Sequence, residues 1–256
     1  MRSHKLNVFA GILGLLGMTN FVAAGVVFIE PYAKIVHFRA TVIVPKAPTV
    51  VQATGIQSFW PALEPASSDA ILQIVFANEG KVLGQWSFFE YFQDGVASTG
   101  GERVHGKNIN VYPGDLISNG FISMDENEMW KGAINAHKWY VNWIVRRGAE
   151  GLAKGEVDGG GNATVDLSAH ADMGDFTQAV LATELSRAAK WEMGPIDWQN
   201  VMIQIEGTSR DWCSVDKLIL LNVTLSNVQA VDLLPTSRGA TCFFKGFTVT
   251  DTMATG

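Results

Sequence analysis

The sequence predicts an all-β chain folded as one antiparallel β-sandwich. Short apolar, β-branched and aromatic runs recur at roughly 8–15 residue spacing, each bounded by Gly, Pro, Asn, Asp or Ser. The 26 glycines accompany only short apolar runs after the N-terminus, and no segment holds a long helical periodicity. The 256 residues suffice for one sizeable core, and 47% hydrophobic against 17% charged residues excludes a disordered chain.

The N-terminus comes first and reads as a secretion signal. Arg2, His4 and Lys5 precede the apolar stretch Val8–Met18, and Val22-Ala23-Ala24 supplies small residues for cleavage after Ala24. Residues 1–24 are then a signal peptide and 25–256 a single sandwich domain. A signal anchor is the competing reading, since the apolar region extends to Ile29. Thr19 and Asn20 interrupt it, and a spanning helix prefers about 20 apolar residues.

Lys34–Val44 is the first expected strand, ended by Pro45 and Pro48. Val50–Trp60 follows, with Pro61, Pro65, Ser67 and Ser68 forming the turn into Ala70–Phe76. Gly80 and Gly84 bracket a hairpin into Gln85–Phe92, and Asp94–Gly106 is a polar, Gly-rich loop. Lys107–Val111, Leu116–Met124, Met129–Asn135 and Lys138–Arg146 are further strands. Gly155–Gly161 reads as a loop, Ala163–His170 as a strand and Asp172–Phe176 as a loop. Gln178–Ser186 is a strand, and Leu185–Trp191 is the best candidate for a short helix. After the Gly194-Pro195 turn, Gln199–Glu206 alternates, with Val201, Ile203 and Ile205 on one face. Leu218–Leu225 and Thr241–Thr250 complete the set.

The net charge of −6 becomes about −8 without Arg2 and Lys5, a balance that repels nucleic acid. No later segment is long and apolar enough for stable membrane insertion. In a secreted chain, Cys213 and Cys242 read as one disulfide; two buried free thiols are the alternative. Asn162-Ala163-Thr164 and Asn222-Val223-Thr224 are glycosylation sequons. The five His residues do not fall at metal-ligand spacing, and no G-x-S-x-G elbow or phosphate-binding glycine motif is present. No metal and no cofactor are therefore expected. Arg146-Arg147 reads as a solvated strand end.

The chemistry begins with Gln73, in the middle of Ala70-Ile71-Leu72-Gln73-Ile74-Val75-Phe76. Strand alternation puts Ile71, Gln73 and Val75 on one face and Leu72, Ile74 and Phe76 on the other. Both faces are apolar, so the strand is central and covered. A buried amide costs about 1–3 kcal/mol unless it finds partners. Gln73 is thus either hydrogen-bonded for structure or kept for chemistry. Trp60-Pro61-Ala62-Leu63-Glu64 lies upstream. Trp86-Ser87-Phe88-Phe89-Glu90-Tyr91-Phe92 and Ile109-Asn110-Val111-Tyr112-Pro113-Gly114-Asp115 lie downstream, and Ala182-Thr183-Glu184-Leu185 much later.

This order, best from about Ser58 to Asp115, resembles the glutamic peptidases, the eqolisin family of secreted fungal acid proteases. The resemblance implies a concanavalin A-like jelly roll. It also implies hydrolysis of polypeptides by water, with Glu184 as base and then acid, Gln73 stabilising the oxyanion, and no covalent intermediate. Trp60, Glu64, Trp86, Phe88, Glu90 and Phe92 become the implied substrate-binding residues. Ile74 and Val75 depart from the small residues of the family, and Glu64 stands where the family has Asp. The long insertion before Glu184 carries Trp130, Trp139 and Trp143. These tryptophans motivate a second reading, a carbohydrate-binding or carbohydrate-active protein (lectin, glucanase or lyase) on the same scaffold. A retaining glucanase would need Glu90 beside Glu184, with carboxyls roughly 5–5.5 Å apart. A third reading is a secreted scaffold without activity. The expected partner is a polypeptide or a polysaccharide, and the expected state an extracellular monomer.

Overall fold

The computed structural model describes residues 21–49, 55–67, 70–78, 82–94, 103–106, 108–124, 137–186, 193–236 and 239–252. Strands, numbered in chain order, form two antiparallel sheets. Sheet 1 holds β1 (Phe21–Ile29), β3 (Ile56–Pro65), β4 (Ala70–Asn78), β5 (Trp86–Asp94), β6 (Arg103–His105), β7 (Ile109–Val111), β11 (Phe176–Ser186) and β13 (Ile219–Leu221). Their order is β13-β1-β11-β3-β4-β5-β6, with β7 also on β5. Sheet 2 holds β2 (Ile35–Ile43), β8 (Leu116–Ser123), β9 (Lys138–Arg146), β10 (Gly159–Asp166), β12 (Ile196–Glu206), β14 (Val223–Ser226), β15 (Val231–Pro235) and β16 (Gly239–Asp251). Their order is β10-β9-β8-β2-β12-β16-β14, with β15 also on β16. A short helix α1 (Ala149–Ala153) and 3-10 turns at Ser168–Met173 and Val215–Lys217 complete the elements.

The two sheets pack face to face over one apolar core, as the strand spacing led us to expect. Phe59, Leu63, Leu72, Ile74 and Phe76 from sheet 1 meet Phe38, Phe121, Val141, Trp198 and Ile203 from sheet 2. Phe59 stacks on Phe76 at 4.5 Å and meets the edges of Trp86 and Trp198. A second buried cluster lies on the opposite, outer face of sheet 1: Val26, Phe28, Trp60, Ala62, Ile71, Val75, Val180 and Ala182. The central strands of sheet 1 are therefore covered on both faces, which explains their near-continuous apolar runs.

Several boundaries differ from expectation. β3 continues through Pro61 to Pro65 rather than turning. Its ladder with β4 lacks pairs at Trp60 and Pro61, where the proline has no N–H to give, while Pro61 still sits opposite Leu181 of β11. The Gly159–Gly161 run is strand, not loop, because β10 lies tightly against β9. A Cβ on Gly161 would meet the Trp143 ring at 2.5 Å and one on Gly160 the Trp143 carbonyl at 2.8 Å. β10 ends at Asp166, and the remainder of the expected Ala163–His170 strand turns into the 3-10 segment. Leu218–Leu225 splits into β13 in sheet 1 and β14 in sheet 2. Asn222, with φ 53°, makes the step between the sheets, a left-handed geometry that asparagine tolerates. Leu185 and Ser186 belong to β11. The rest of the expected helix and the expected Met129–Asn135 strand lie outside the described residues, as do residues 1–20. β1 pairs with β11 from Phe21 onward, so the cleavage point expected after Ala24 falls within that strand.

Cys213 and Cys242 are disulfide-bonded, tying the turn before β13 to β16. Arg147 corrects another expectation: its side chain is only 6% exposed. Its guanidinium binds the fully buried Asp115 at 2.8 Å and Glu156 at 3.2 Å. Asp115 also accepts bonds from the Tyr112 and Gly148 amides, which pins the β7–β8 turn to the end of β9. Replacing Arg147 with Met would strand a buried carboxylate, so Arg147→Met should cost about 3–5 kcal/mol in urea unfolding. A loss below 1 kcal/mol would contradict the structural role.

Candidate active site

The outer face of sheet 1 collects polar side chains that water does not reach. Alternation turns Ser58, Trp60, Ala62 and Glu64 of β3 outward, together with Gln178, Val180, Ala182 and Glu184 of β11. β4 contributes Ile71, Gln73 and Val75, and β5 contributes Tyr91 and Gln93. Gln73 is 1% exposed, Glu64 0% and Glu184 2%. Glu64, Gln73, Glu184 and Trp60 thus share one face, as the resemblance implies.

The strand register decides which of them meet. Glu184 lies opposite Ser58. It accepts a hydrogen bond from the Ser58 hydroxyl and one at 3.4 Å from the Trp60 indole. Gln73 lies opposite Ala62 on β3 and Tyr91 on β5. Ser58 and Ala62 are four residues apart, and β4 and β11 flank β3 on opposite sides. The Cα atoms of Gln73 and Glu184 are therefore offset by about 13 Å along the strands and about 10 Å across them. Glu64 is nearer. It sits directly opposite Gln178 and one diagonal step from Gln73. Opposed residues have Cβ atoms about 5 Å apart and diagonal ones about 7–8 Å, within reach of long side chains.

Burial sets the charge state. It pushes the Glu64 carboxyl up to about 8, with the nearby negative charge of Glu30 adding to the effect. Burial also raises Glu184 to about 8, against a smaller opposing pull from its bonds to Trp60 and Ser58. Both carboxyls are neutral through the acid range. Five side-chain oxygens on this face have no hydrogen-bond partner among the described residues: both of Glu64, and one each of Gln73, Gln178 and Glu184.

The aromatic strand corrects the implied substrate surface. Trp86, Phe88 and Phe92 point into the core between the sheets. The Trp86 indole donates to the Pro45 carbonyl at 3.3 Å. Their period-two spacing was legible, but β5 is apolar on both faces and spacing alone does not say which face is which. Glu90 has the parity of these rings, and its carboxyl packs against Gly106. Glu90 and Glu184 thus leave sheet 1 on opposite faces and do not form a glycosidase pair. Trp139 and Trp143 are also core residues, packed on Phe176 and Phe88. The surface tryptophans that motivated a carbohydrate reading are therefore absent there, and Trp130 lies outside the described residues. Asn162 is exposed on β10 and Asn222 half-buried. Among the described residues no group of His, Cys, Asp or Glu could hold a metal, and no helix is long and apolar enough to cross a membrane.

Gln178, Tyr91, Gln93 and Ser58 were not anticipated. Gln178 was within reach of sequence reasoning, because counting back by twos from Glu184 places it on the same face. Tyr91 donates to the Gln93 amide oxygen at 2.7 Å beside Gln73. A separate cavity of about 580 Å³ opens at the β1–β13 side, between Glu30, Tyr32, Trp212 and Ile219; neither Glu64 nor Gln73 lines it.

The raised carboxyls give stability a definite pH dependence. The folded values lie above the usual 4.5, so the native state holds its protons more tightly than the unfolded chain. Stability is full below about pH 4.5 and declines between 4.5 and 8. Urea unfolding across this range should show the decline, and Glu64→Gln or Glu184→Gln should each remove one share of it. A flat wild-type profile would contradict the burial of these groups in neutral form.

Comparison with solved structures places this face in context. The fold is similar to that of scytalido-glutamic peptidase bound to a peptide-based transition-state analogue, with a TM-score of 0.52 and 11% identity over 91% of this chain and 98% of that one. A second structure of scytalido-glutamic peptidase, with a transition-state analogue inhibitor, gives a TM-score of 0.48 at 13% identity over 88% and 98%. SCP-B, a member of the eqolisin family in complex with the tripeptide Ala-Ile-His, gives 0.48 at 11% over 91% and 98%. No protein-family model matches the chain, and no curated protein matches its sequence. The first of these likenesses shows a shared fold.

Proposed function

We propose that the chain is a glutamic-type hydrolase of polypeptides that works on the outer face of sheet 1. One observation carries the reading: buried carboxyl and amide groups share that face, and five of their oxygens have no hydrogen-bond partner among the described residues. An extended peptide carries N–H and C=O groups that can pair with them. The fold likeness to peptide-binding glutamic peptidases supports the same substrate class.

On this reading burial gives the carboxyl a different starting role from the base expected of Glu184 in the sequence. A neutral carboxyl starts as a donor rather than a base. Its proton passes to the scissile carbonyl oxygen as the oxygen of water bonds to the carbonyl carbon, and the proton shed by that water returns to the carboxylate. The Gln73 amide N–H groups stabilise the charge that develops on the carbonyl oxygen. The carboxyl proton then goes to the amide nitrogen, the C–N bond breaks, and a hydroxyl proton of the intermediate restores the carboxyl. A carboxylic acid and an amine leave, and the protein is unchanged. Secretion fits this reading: the N-terminal segment has the order of a signal peptide, and the disulfide suits an oxidising compartment.

The test is cleavage of an unfolded protein substrate at pH 3–6 in the presence of aspartic-protease inhibitors. Wild-type protein should cleave it, with activity declining as pH rises through about 8. Gln73→Ala should lower kcat by about 10²–10³-fold, the usual cost of an oxyanion donor. Undiminished cleavage by Gln73→Ala would remove the proposal.

A further inference from the structure

We propose that processing after Ala24 during export builds an ion pair into the fold: the new α-ammonium of Gly25 turns inward onto the buried Asp251 carboxylate and the Thr183 hydroxyl. The inference rests on the secretion reading above and is independent of the hydrolase chemistry.

Gly25 lies on β1 where sheet 1 meets the end of sheet 2. It pairs with Thr183 of β11, and its neighbour Val26 pairs with Leu221 of β13. The chain steps between the sheets at Asn222, and Val223 then pairs with Asp251, the last residue of β16. Strand alternation turns Val26 and Phe28 to the outer cluster, so position 25 faces the interior with Val27 and Ile29. The space there is occupied by polar atoms. A Cβ on Gly25 would lie 2.7 Å from Thr183 Oγ1, 2.9 Å from Asp251 Oδ2 and 2.6 Å from a Val223 methyl. Gly25 is buried, and Thr183 and Asp251 are 2% and 3% exposed. The Thr183 hydroxyl donates toward Asp251 Oδ2 at 3.2 Å and toward the Gly25 carbonyl at 3.1 Å.

The two distances to oxygen are too short for carbon and right for nitrogen. A charged N–H donor sits about 2.7–2.9 Å from its oxygen acceptor. In the uncut chain the Gly25 nitrogen is held in the peptide bond to Ala24 and cannot take that place. Once the bond is cut, rotation about Cα–C alone carries the nitrogen to the position of the missing Cβ, one staggered step away. The ammonium then donates to Asp251 Oδ2 and to Thr183 Oγ1, while the Thr183 hydroxyl still donates to Asp251. The Val223 methyl, on the end strand of sheet 2, has to turn aside. Any side chain at position 25 would put carbon into this space, and glycine leaves it to the amine.

The covalent step is hydrolysis by a peptidase of the export pathway. Water adds across the Ala24–Gly25 bond, its hydroxyl to the Ala24 carbonyl carbon and its hydrogen to the Gly25 nitrogen, which takes up a further proton from solvent. The cut precedes folding, so the position of the bond within a strand does not shield it. The exported chain forgoes the pairing of Phe21, Ala23 and Ala24 with Ser186, Leu185 and Glu184. The ion pair replaces that pairing as the anchor of β1 and ties sheet 1 to sheet 2. A carboxylate already buried gains from a counter-charge that also satisfies its hydrogen bonding.

The test begins with protein exported from a eukaryotic secretory host, whose first residue should be Gly25 by sequencing. Chains beginning at Gly25 and at Ala24 are then made with a tag whose removal leaves no added residue, each with Asp251 and with Asp251→Asn. The Gly25 amine should be acylated at least about tenfold more slowly in the folded chain than in urea. The Gly25 chain should melt at least about 4 °C above the Ala24 chain, although the latter can add one strand pair. Asp251→Asn should remove most of that difference. The Gly25 and Ala24 chains both keep Asp251, so their comparison stands even where Asp251→Asn does not fold. An exported chain that begins at another residue, a Gly25 amine that reacts as fast folded as in urea, or an Ala24 chain as stable as the Gly25 chain would overturn the ion pair and leave the secretion reading intact. A chain retained in the cell would remove both.

Discussion

Water is excluded from both faces of the central strands of sheet 1, and the molecule nevertheless places two carboxyls and two amides on one of them. This is the constraint on which the site depends. Inside the sandwich the rule is ordinary: Phe59, Phe76, Trp86 and Trp198 interlock, and the Trp86 indole N–H is satisfied by the Pro45 carbonyl. On the outer face, Val26, Phe28, Ala62 and Val180 build a second apolar layer around Glu64, Gln73, Gln178 and Glu184. The low dielectric of that layer makes ionisation expensive, so the carboxyls are neutral, and the face is left with oxygens that have no partner among the described residues. Local rules are broken most openly where function is expected.

The rest of the fold serves to hold that face still. Asp115, Arg147 and Glu156 lock the turn between β7 and β8 to the end of β9. The disulfide clamps the approach to β13, an edge strand of sheet 1 whose Ile219 and Leu221 pack on the outer cluster. Pro61 interrupts the β3–β4 ladder beside Gln73. The ladder resumes at once, with Ala62 opposite Gln73, while β11 pairs with β3 through the gap.

Much of this was legible in the sequence. The strand spacing gave the sandwich, and the alternation around Gln73 placed it correctly on a doubly covered strand. The order Trp60, Glu64, Gln73 and Glu184 pointed to a single face. What could not be read was register between β3 and β11, which are joined by more than a hundred residues; a shift of two or four positions leaves the facing pattern unchanged and alters every distance. The facing of β5 was equally hidden, because Trp86, Phe88 and Phe92 on one side and Phe89 and Tyr91 on the other are all apolar rings. Glycine misled in β10, where close packing on Trp143, not turn formation, requires it.

The central claim is that the amide of Gln73 and a carboxyl beside it meet one bond of an extended peptide. A crystal structure with a peptide whose scissile amide is replaced by a non-cleavable hydroxyl isostere tests it most directly. The account predicts the isostere hydroxyl within about 3 Å of both the Gln73 amide and a carboxyl of the same face. A peptide lodged instead in the cavity beside Trp212, with Gln73 untouched, would contradict it.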